Sequence, residues 1–265
     1  MSRVTQREES TAELQLRDQW AVVTGASKGI GLGIARAFVD AGAHVAVVAR
    51  TVDVLHEAAD ELRGRAHVGQ MILPMAADTG DPDAIGRLFD GLRAELPRLN
   101  VFVANAGSGA VTPFLDLSLE EWDRTVALNL TGTFLCCQQA ARMMRPLDGE
   151  NRAILVISSI RAIGARPGRL VYSATKAAVN QLVRVAAQEL APFGIRVNTL
   201  SPGITATPLA LEGNPEVFAE AEATVPLGRA GTPNDMAAGA LYLCSPSAAF
   251  VTGANLVVDG GESLY

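Results

Sequence analysis

The sequence predicts an α/β domain, a parallel sheet covered by helices on both faces. Short apolar runs alternate with longer stretches of helical periodicity from Gln19 onward. The runs are apolar throughout, not at every second residue, which is the pattern of strands buried on both faces. Hydrophobic residues make up 49% of the 265 and charged residues 19%, enough for one sizeable core and incompatible with disorder over most of the length.

Trp20-Ala-Val-Val-Thr24 is the first predicted strand, and the helix after it spaces Ile30, Ile34, Ala35 and Phe38 three and four apart. A strand at His44–Ala49, a helix at Val54–Leu62 and a strand at Met71–Met75 follow. Pro82–Leu96 predicts a helix and Asn100–Ala104 a strand. A long helix is predicted from Leu119 to Met144, then a strand at Ala153–Ile157. The next helix follows Tyr172, with Val179, Leu182, Val183, Ala186 and Leu190 on one side. Arg196–Leu200 is a strand, and a looser stretch leads to a helix at Asn234–Leu243 and a last strand at Asn255–Val258. No repeat interrupts this order, and a second globular unit has nowhere to fit. Residues 1–17 are polar and charged and read as a flexible arm; residues 18–265 read as one domain.

Net charge −6 and a pI near 5.2 argue against a nucleic-acid partner. Cys136 and Cys137 are adjacent and poorly placed for a disulfide, and with Cys244 the count is odd, which suits a reducing compartment. All three read as small apolar filler. His44, His56 and His67 form no spaced ligand set with them, so no metal is expected. No apolar run approaches the roughly 18–20 residues that cross a bilayer, and the start lacks an apolar signal core. The expectation is a cytoplasmic protein with no membrane partner.

Between the first strand and helix lies Thr24-Gly25-Ala-Ser27-Lys28-Gly29-Ile30-Gly31. Gly25 permits a tight turn, while Gly29 and Gly31 let backbone amides approach a pyrophosphate at the helix N-terminus. The spacing departs from the commoner Gly-x-Gly-x-x-Gly, and such a turn also occurs without a ligand. An acidic residue ending the second strand would hold the ribose hydroxyls of NAD. This chain has Ala49-Arg50 there, with Lys28 in the turn. Two cations on a 2′-phosphate would each contribute about 1.5–3 kcal/mol as charge-assisted hydrogen bonds, favouring NADP(H) over NAD(H); solvated surface residues are the alternative.

Tyr172-Ser-Ala-Thr-Lys176 places a phenol and an ammonium at i and i+4, on one helical face. A free tyrosine has a pKa near about 10, and a nearby ammonium draws it toward the working range. Ser159 follows the strand ending at Ile157, where its hydroxyl could hold a carbonyl oxygen.

Thr24-Gly25-x-x-x-Gly29-x-Gly31, Asp78, Asn105-Ala106-Gly107, Asn129, Ser159, Tyr172-x-x-x-Lys176, Pro202-Gly203 and Thr207 run in order along nearly the whole chain. This set resembles the classical short-chain dehydrogenase/reductase family. Ala104 departs from it, since many members have a further Asn there. The resemblance implies a single-domain, doubly wound Rossmann fold with a seven-stranded parallel sheet, assembled as a homotetramer or homodimer. It implies that Tyr172 is the general acid/base, that Lys176 binds the nicotinamide ribose and lowers the tyrosine pKa, and that Ser159 orients and polarises the substrate oxygen. Asn129 would hold a water continuing the proton path to solvent. Asp78 would contact the adenine; Asn105, Ala106 and Gly107 would line the cofactor; Pro202, Gly203 and Thr207 would hold its nicotinamide end, joining Gly25, Ser27, Lys28, Gly29, Ile30, Gly31 and Arg50. Blander readings remain open: Asp78 as a helix cap and Asn129 as a helix kink.

The expected activity is NADP(H)-dependent interconversion of a small secondary alcohol and its ketone. A 3-oxoacyl thioester reductase and a sugar or polyol dehydrogenase lie within the same class. A cofactor-sensing module without turnover is the alternative from another class, but it has no need of Asn129, Ser159, Tyr172 and Lys176 together. Residues 204–229 are expected to cover the substrate, with Leu209, Leu211, Val217 and Phe218 either forming a mobile cover or lying on a surface helix. Arg161, in the loop after Ser159 with Arg166 and Arg169, either binds an anionic substrate group or meets solvent or a subunit salt bridge.

Overall fold

The computed structural model describes residues 15–147, 151–213 and 215–264. Its seven strands are β1 (Trp20–Thr24), β2 (His44–Ala49), β3 (Ile72–Ala76), β4 (Val101–Ala104), β5 (Ala153–Ile157), β6 (Arg196–Pro202) and β7 (Asn255–Val258). They form one sheet in the order β3-β2-β1-β4-β5-β6-β7, every neighbouring pair parallel. The chain builds outward from β1 to β3 and then crosses back to β4 beside β1. The loops after β1 and β4 therefore diverge, leaving a crevice at the carboxyl ends of the strands.

The helices are α1 (Gly29–Asp40), α2 (Val52–Arg65), α3 (Pro82–Glu95), α4 (Leu119–Val126), α5 (Thr133–Met144), α6 (Leu170–Leu190), α7 (Pro208–Gly213), α8 (Pro215–Ala223) and α9 (Pro233–Cys244). One core lies under α1, α2 and α9, the other under α3, α5 and α6. Strands β1 to β6 feed both: Ala21 and Val23 of β1 enter the first, Trp20 and Val22 the second, while β7 meets only the first through Leu256 and Val258. Strands apolar on both faces follow from this double burial. All three cysteines are buried free thiols, and burial pushes that of Cys136 up to about 12.

The structure differs from the sequence expectations in four places. Leu16, assigned to the flexible arm, is fully buried, and its N–H donates to the Ala41 carbonyl at 3.0 Å. The domain thus begins earlier than residue 18, because an apolar side chain fills the end of the first core; the rest of the arm, residues 1–14, lies outside the described residues. The long helix from Leu119 is interrupted by a π-helical stretch, Ala127–Gly132, which contains Asn129. Helix α6 starts at Leu170, so Tyr172 lies inside its first turn. The stretch expected to be loose holds α7 and α8.

Among the described residues no helix is long and apolar enough to cross a membrane. No cluster of three or more His, Cys, Asp or Glu that could hold a metal ion occurs among them either.

Candidate active site

A cleft of about 500 Å³ lies at the carboxyl ends of the strands, running from the turn after β1 to the loops after β5 and β6. A lobe of about 280 Å³ continues over the end of β2, lined by Lys28, Ala49, Arg50 and Thr79 among others.

Gly25 and Gly29 have φ of +63° and +55°, the left-handed region that side chains avoid. Helix α1 begins at Gly29 with no side-chain cap from Lys28 and no acidic residue in its first turn. Its free amides and the positive end of its dipole therefore lie at the cleft wall, where Lys28, Gly29 and Ile30 are found. Gly31 has a steric role in the turn itself. It does not line the cleft; a Cβ there would sit 2.3 Å from the Gly25 carbonyl oxygen and 2.4 Å from Asn105 Nδ2. Its missing side chain lets the turn fold on itself.

Asn105 acts through that same turn. Its Nδ2 donates to the carbonyls of Thr24 (2.9 Å) and Gly25 (3.1 Å). Thr24, which sequence reasoning left without a role, accepts at Oγ1 from the N–H groups of Asn105 (3.0 Å) and Ala106 (3.1 Å) and donates to the Val103 carbonyl. The ends of β1 and β4 are thereby fastened to each other. Ser27, Asn105, Ala106 and Gly107 all line the cleft, as do Pro202, Gly203 and Thr207 on its opposite side.

Asp78 lies beside this site without lining it. Its Oδ1 accepts from Gly80 N at 2.8 Å, and Oδ2 is 4.0 Å from Arg50 Nη1. The capping role considered for it belongs to Asp81, which accepts from Asp83 N at the start of α3. A dinucleotide fits this donor set: an uncapped helix end for the pyrophosphate, and beyond β2 a lobe with two cations for the nucleoside end.

Tyr172 and Lys176 lie one turn apart on α6 and line the cleft floor with Ser159. Lys176 is buried, and its Nζ donates to the Ile157 carbonyl at 2.7 Å. Burial pulls its pKa down to about 8. The same burial raises the Tyr172 phenol above its usual value, against a hydrogen bond with Ser159 and the charges of Arg169 and Arg161, which lower it. The expected depression by the Lys176 ammonium is therefore not what the structure gives. Desolvation dominates both groups and favours their neutral forms.

Asn129 is fully buried beneath this pair. Its Nδ2 donates to the Ser108 carbonyl (2.7 Å) and Thr175 Oγ1 (3.3 Å), and its Oδ1 accepts from Ser108 N (3.0 Å). The π-helical stretch carries Asn129 to this position, where it clamps the loop after β4 against α6. That loop includes Gly109, which sequence reasoning also missed: a Cβ there would lie 2.5 Å from Tyr172 Cδ2. The signal, a second glycine just after Asn105-Ala106-Gly107, was present but carried no distance.

At the substrate end, Arg161 forms an ion pair with Glu262, whose side chain is 6% exposed. Glu262 Oε2 also accepts from Ile204 N at 2.7 Å. Neither an external anion nor a subunit bridge is needed to partner Arg161. The wall from residues 204–229 comes from Ile204, Thr205, Thr207, Pro208 and Ala210. Leu211 does not line the cleft and is 46% exposed, while Phe218 is partly buried on α8 away from it. The side chains of Leu209 and Val217 lie outside the described residues.

A family model described as enoyl-(acyl carrier protein) reductase matches residues 25–263. The 3beta-hydroxysteroid dehydrogenase 1 of Eggerthella lenta is 36% identical over 253 residues, covering 94% of this chain and 95% of that protein. The cis-4-hydroxycyclohexanecarboxylate dehydrogenase of Sinomonas cyclohexanicum is 38% identical over 242 residues, 91% of this chain and 95% of that one. The solved structure of a short-chain type dehydrogenase/reductase from Mycobacterium marinum has a TM-score of 0.88 at 39% identity, covering 94% of this chain and 97% of its own. The chain belongs to the short-chain dehydrogenase/reductase family. It is a nicotinamide-dependent oxidoreductase acting on CH–OH groups, interconverting secondary alcohols and ketones.

Proposed function

We propose that this chain interconverts a small secondary alcohol and its ketone using NADP(H) in preference to NAD(H), with Tyr172 as general acid/base. The observation that carries the reading is the convergence of Tyr172, Ser159 and Lys176 on the floor of the cleft that begins at the uncapped end of α1. The bound nicotinamide gives or takes the hydride. Ser159 holds the substrate oxygen and Tyr172 exchanges its proton. A phenol raised by burial is protonated at neutral pH, so it is ready to donate when a carbonyl is reduced. Lys176, held by Ile157, is the group that would meet the nicotinamide ribose. Asn129, whose amide is taken up by Ser108 and Thr175, serves here as a positioning residue beside Lys176.

The NADP(H) preference rests on Lys28 and Arg50 at the lobe beyond β2, where Ala49 replaces the acidic residue that suits NAD. Arg50 is 69% exposed and only loosely paired with Asp78, so it is available to a 2′-phosphate. Residues 204–229 would cover the substrate through Pro208 and Ala210. Homo-oligomer formation, as a dimer or tetramer, is supported by exposed Phe114, Leu115, Leu119 and Trp122 on and just before α4.

Two variants test the reading. Tyr172→Phe should abolish NADPH-dependent reduction of a ketone panel while its NADPH dissociation constant, read by fluorescence titration, stays within about twofold. Equal loss of turnover and binding would contradict the role. Arg50→Ala should weaken NADPH binding by about tenfold and leave NADH nearly unchanged. Parallel losses for both cofactors would remove the NADP(H) assignment.

A further inference from the structure

We propose that the substrate end of the cleft recognises a carboxylate, so that the substrate is a small secondary hydroxy acid, or its oxo acid, with the carboxylate on Arg166 and Arg169 and the reacting carbon at Tyr172. This rests on the dehydrogenase reading above and names its substrate class.

The charges lining the cleft are strongly one-sided. Lys28, Arg50, Arg161, Arg166, Arg169 and Lys176 face it, against one carboxylate, Glu262. Lys28 and Arg50 also line the lobe beyond β2; none of the other four does. Lys176 is held by the Ile157 carbonyl and belongs to the floor. The three arginines between β5 and α6 thus form a separate group at the other end.

Arg161 is neutralised by Glu262, and that carboxylate is further engaged by Ile204 N. Arg166 and Arg169 have no carboxylate partner among the described residues. Arg169 Nη1 donates to a neutral acceptor, the Gly109 carbonyl, at 3.0 Å. Arg166 is partly buried and lines the cleft, and among the described residues its guanidinium makes no hydrogen bond. Burial and, less strongly, the neighbouring Arg166 and Arg161 charges disfavour the Arg169 cation, against Tyr172, which favours it. Like charges gathered in a partly desolvated pocket repel, and among the described residues no carboxylate relieves these two. An incoming anion relieves both. The planar guanidinium matches a carboxylate through paired N–H bonds.

The geometry also limits the size of that anion's carrier. The Arg169 guanidinium carbon is 5.9 Å from the centre of the Tyr172 ring. The anionic group and the reacting carbon therefore belong to one compact molecule, not to the far end of a long carrier arm. In the reduction direction a bound reduced nicotinamide would supply the hydride that forms the carbinol C–H bond, and the carbonyl π pair would pass to oxygen. That oxygen takes the Tyr172 phenolic proton, and the carboxylate is unchanged.

The test compares β-hydroxybutyrate, γ-hydroxyvalerate and mandelate with their methyl esters, which keep the carbinol and lose the charge. At least one acid should exceed its ester in kcat/KM by about tenfold or more in the parent protein. In Arg166→Gln that acid-to-ester ratio should collapse toward one, mainly through KM for the acid. Esters used as well as acids by the parent, or an unchanged ratio in the variant, would overturn the proposal. A calorimetric titration of benzoate against benzamide requires no turnover and separates the two readings. Benzoate binding that Arg166→Gln removes supports the carboxylate site even where none of these alcohols is oxidised, in which case the proposed turnover of a small alcohol at Tyr172 fails alone. Equal binding of benzoate and benzamide overturns the carboxylate site whatever the turnover shows.

Discussion

Helices α1 and α9 pack side by side, yet their N-terminal ends are built in opposite ways. At α9 every available device closes the end. Thr232 Oγ1 accepts from Asp235 N, the Asp235 carboxylate accepts from Thr232 N at 2.7 Å, and Pro233 occupies the first turn. Arg229 then grips Asp235 with two bonds of 2.8 and 2.9 Å. At α1 none of these is present: Lys28 provides no cap and the first turn has no acidic residue. A helix leaves several amides without internal partners at its start. An end that only supports the fold satisfies them with its own side chains, whereas an end held open keeps them for an external anion. A missing cap costs about 0.5–2 kcal/mol of stability, a plausible measure of what the cleft requires.

The contrast can be broken from either side. The largest effect is expected where α1 is given what α9 has. Lys28 already has the extended backbone of an N-cap residue, φ −152° and ψ 169°. Lys28→Asp should therefore cap the helix, hold or raise the melting temperature, and weaken NADPH binding by about a hundredfold through a lost cation and an added anion. Lower stability together with unchanged affinity would undo the comparison. A smaller effect is expected from Thr232→Ala, which should lower stability in denaturant by about 1 kcal/mol and leave the NADPH dissociation constant within about twofold.

The smallest effect concerns acid. Bonds from Arg229 and Thr232 hold the Asp235 carboxyl well below the ordinary carboxylate range. A group whose folded pKa lies below its unfolded one stabilises the fold at higher pH, so this contribution is complete above about pH 4 and fades as the pH falls further. The drop in melting temperature between about pH 5 and pH 3 should accordingly be shallower in Asp235→Asn than in the parent protein. An identical slope would show the α9 cap to be energetically silent.

The fold was largely legible in the sequence because its strands are buried on both faces, leaving uninterrupted apolar runs such as Val45–Val48. The glycine turn and the Tyr172–Lys176 spacing were legible for a local reason: both depend on a few consecutive residues. What was not legible depends on distant partners. Glu262 meets Arg161 across 101 positions, and nothing near either residue indicates the other. Asn129, in the π-helical stretch, bonds to Ser108 and Thr175, on segments that periodicity does not connect. The rise of the Tyr172 pKa was missed because the i, i+4 spacing gives the neighbouring charge but not the burial that outweighs it. The steric need for Gly31 in its own turn was not legible, since that use and an approach to a ligand leave the same letter in the sequence.

Glu262 bears on how such an enzyme can be redesigned. It joins the β5 loop through Arg161 and the β6 loop through the Ile204 amide, so three separate stretches share one buried carboxylate. Swapping residues 204–229 for those of a relative would transplant half a junction and strand the other half. A chimera intended to change substrate choice should move position 161, the 204–229 stretch and position 262 together, as a single cassette.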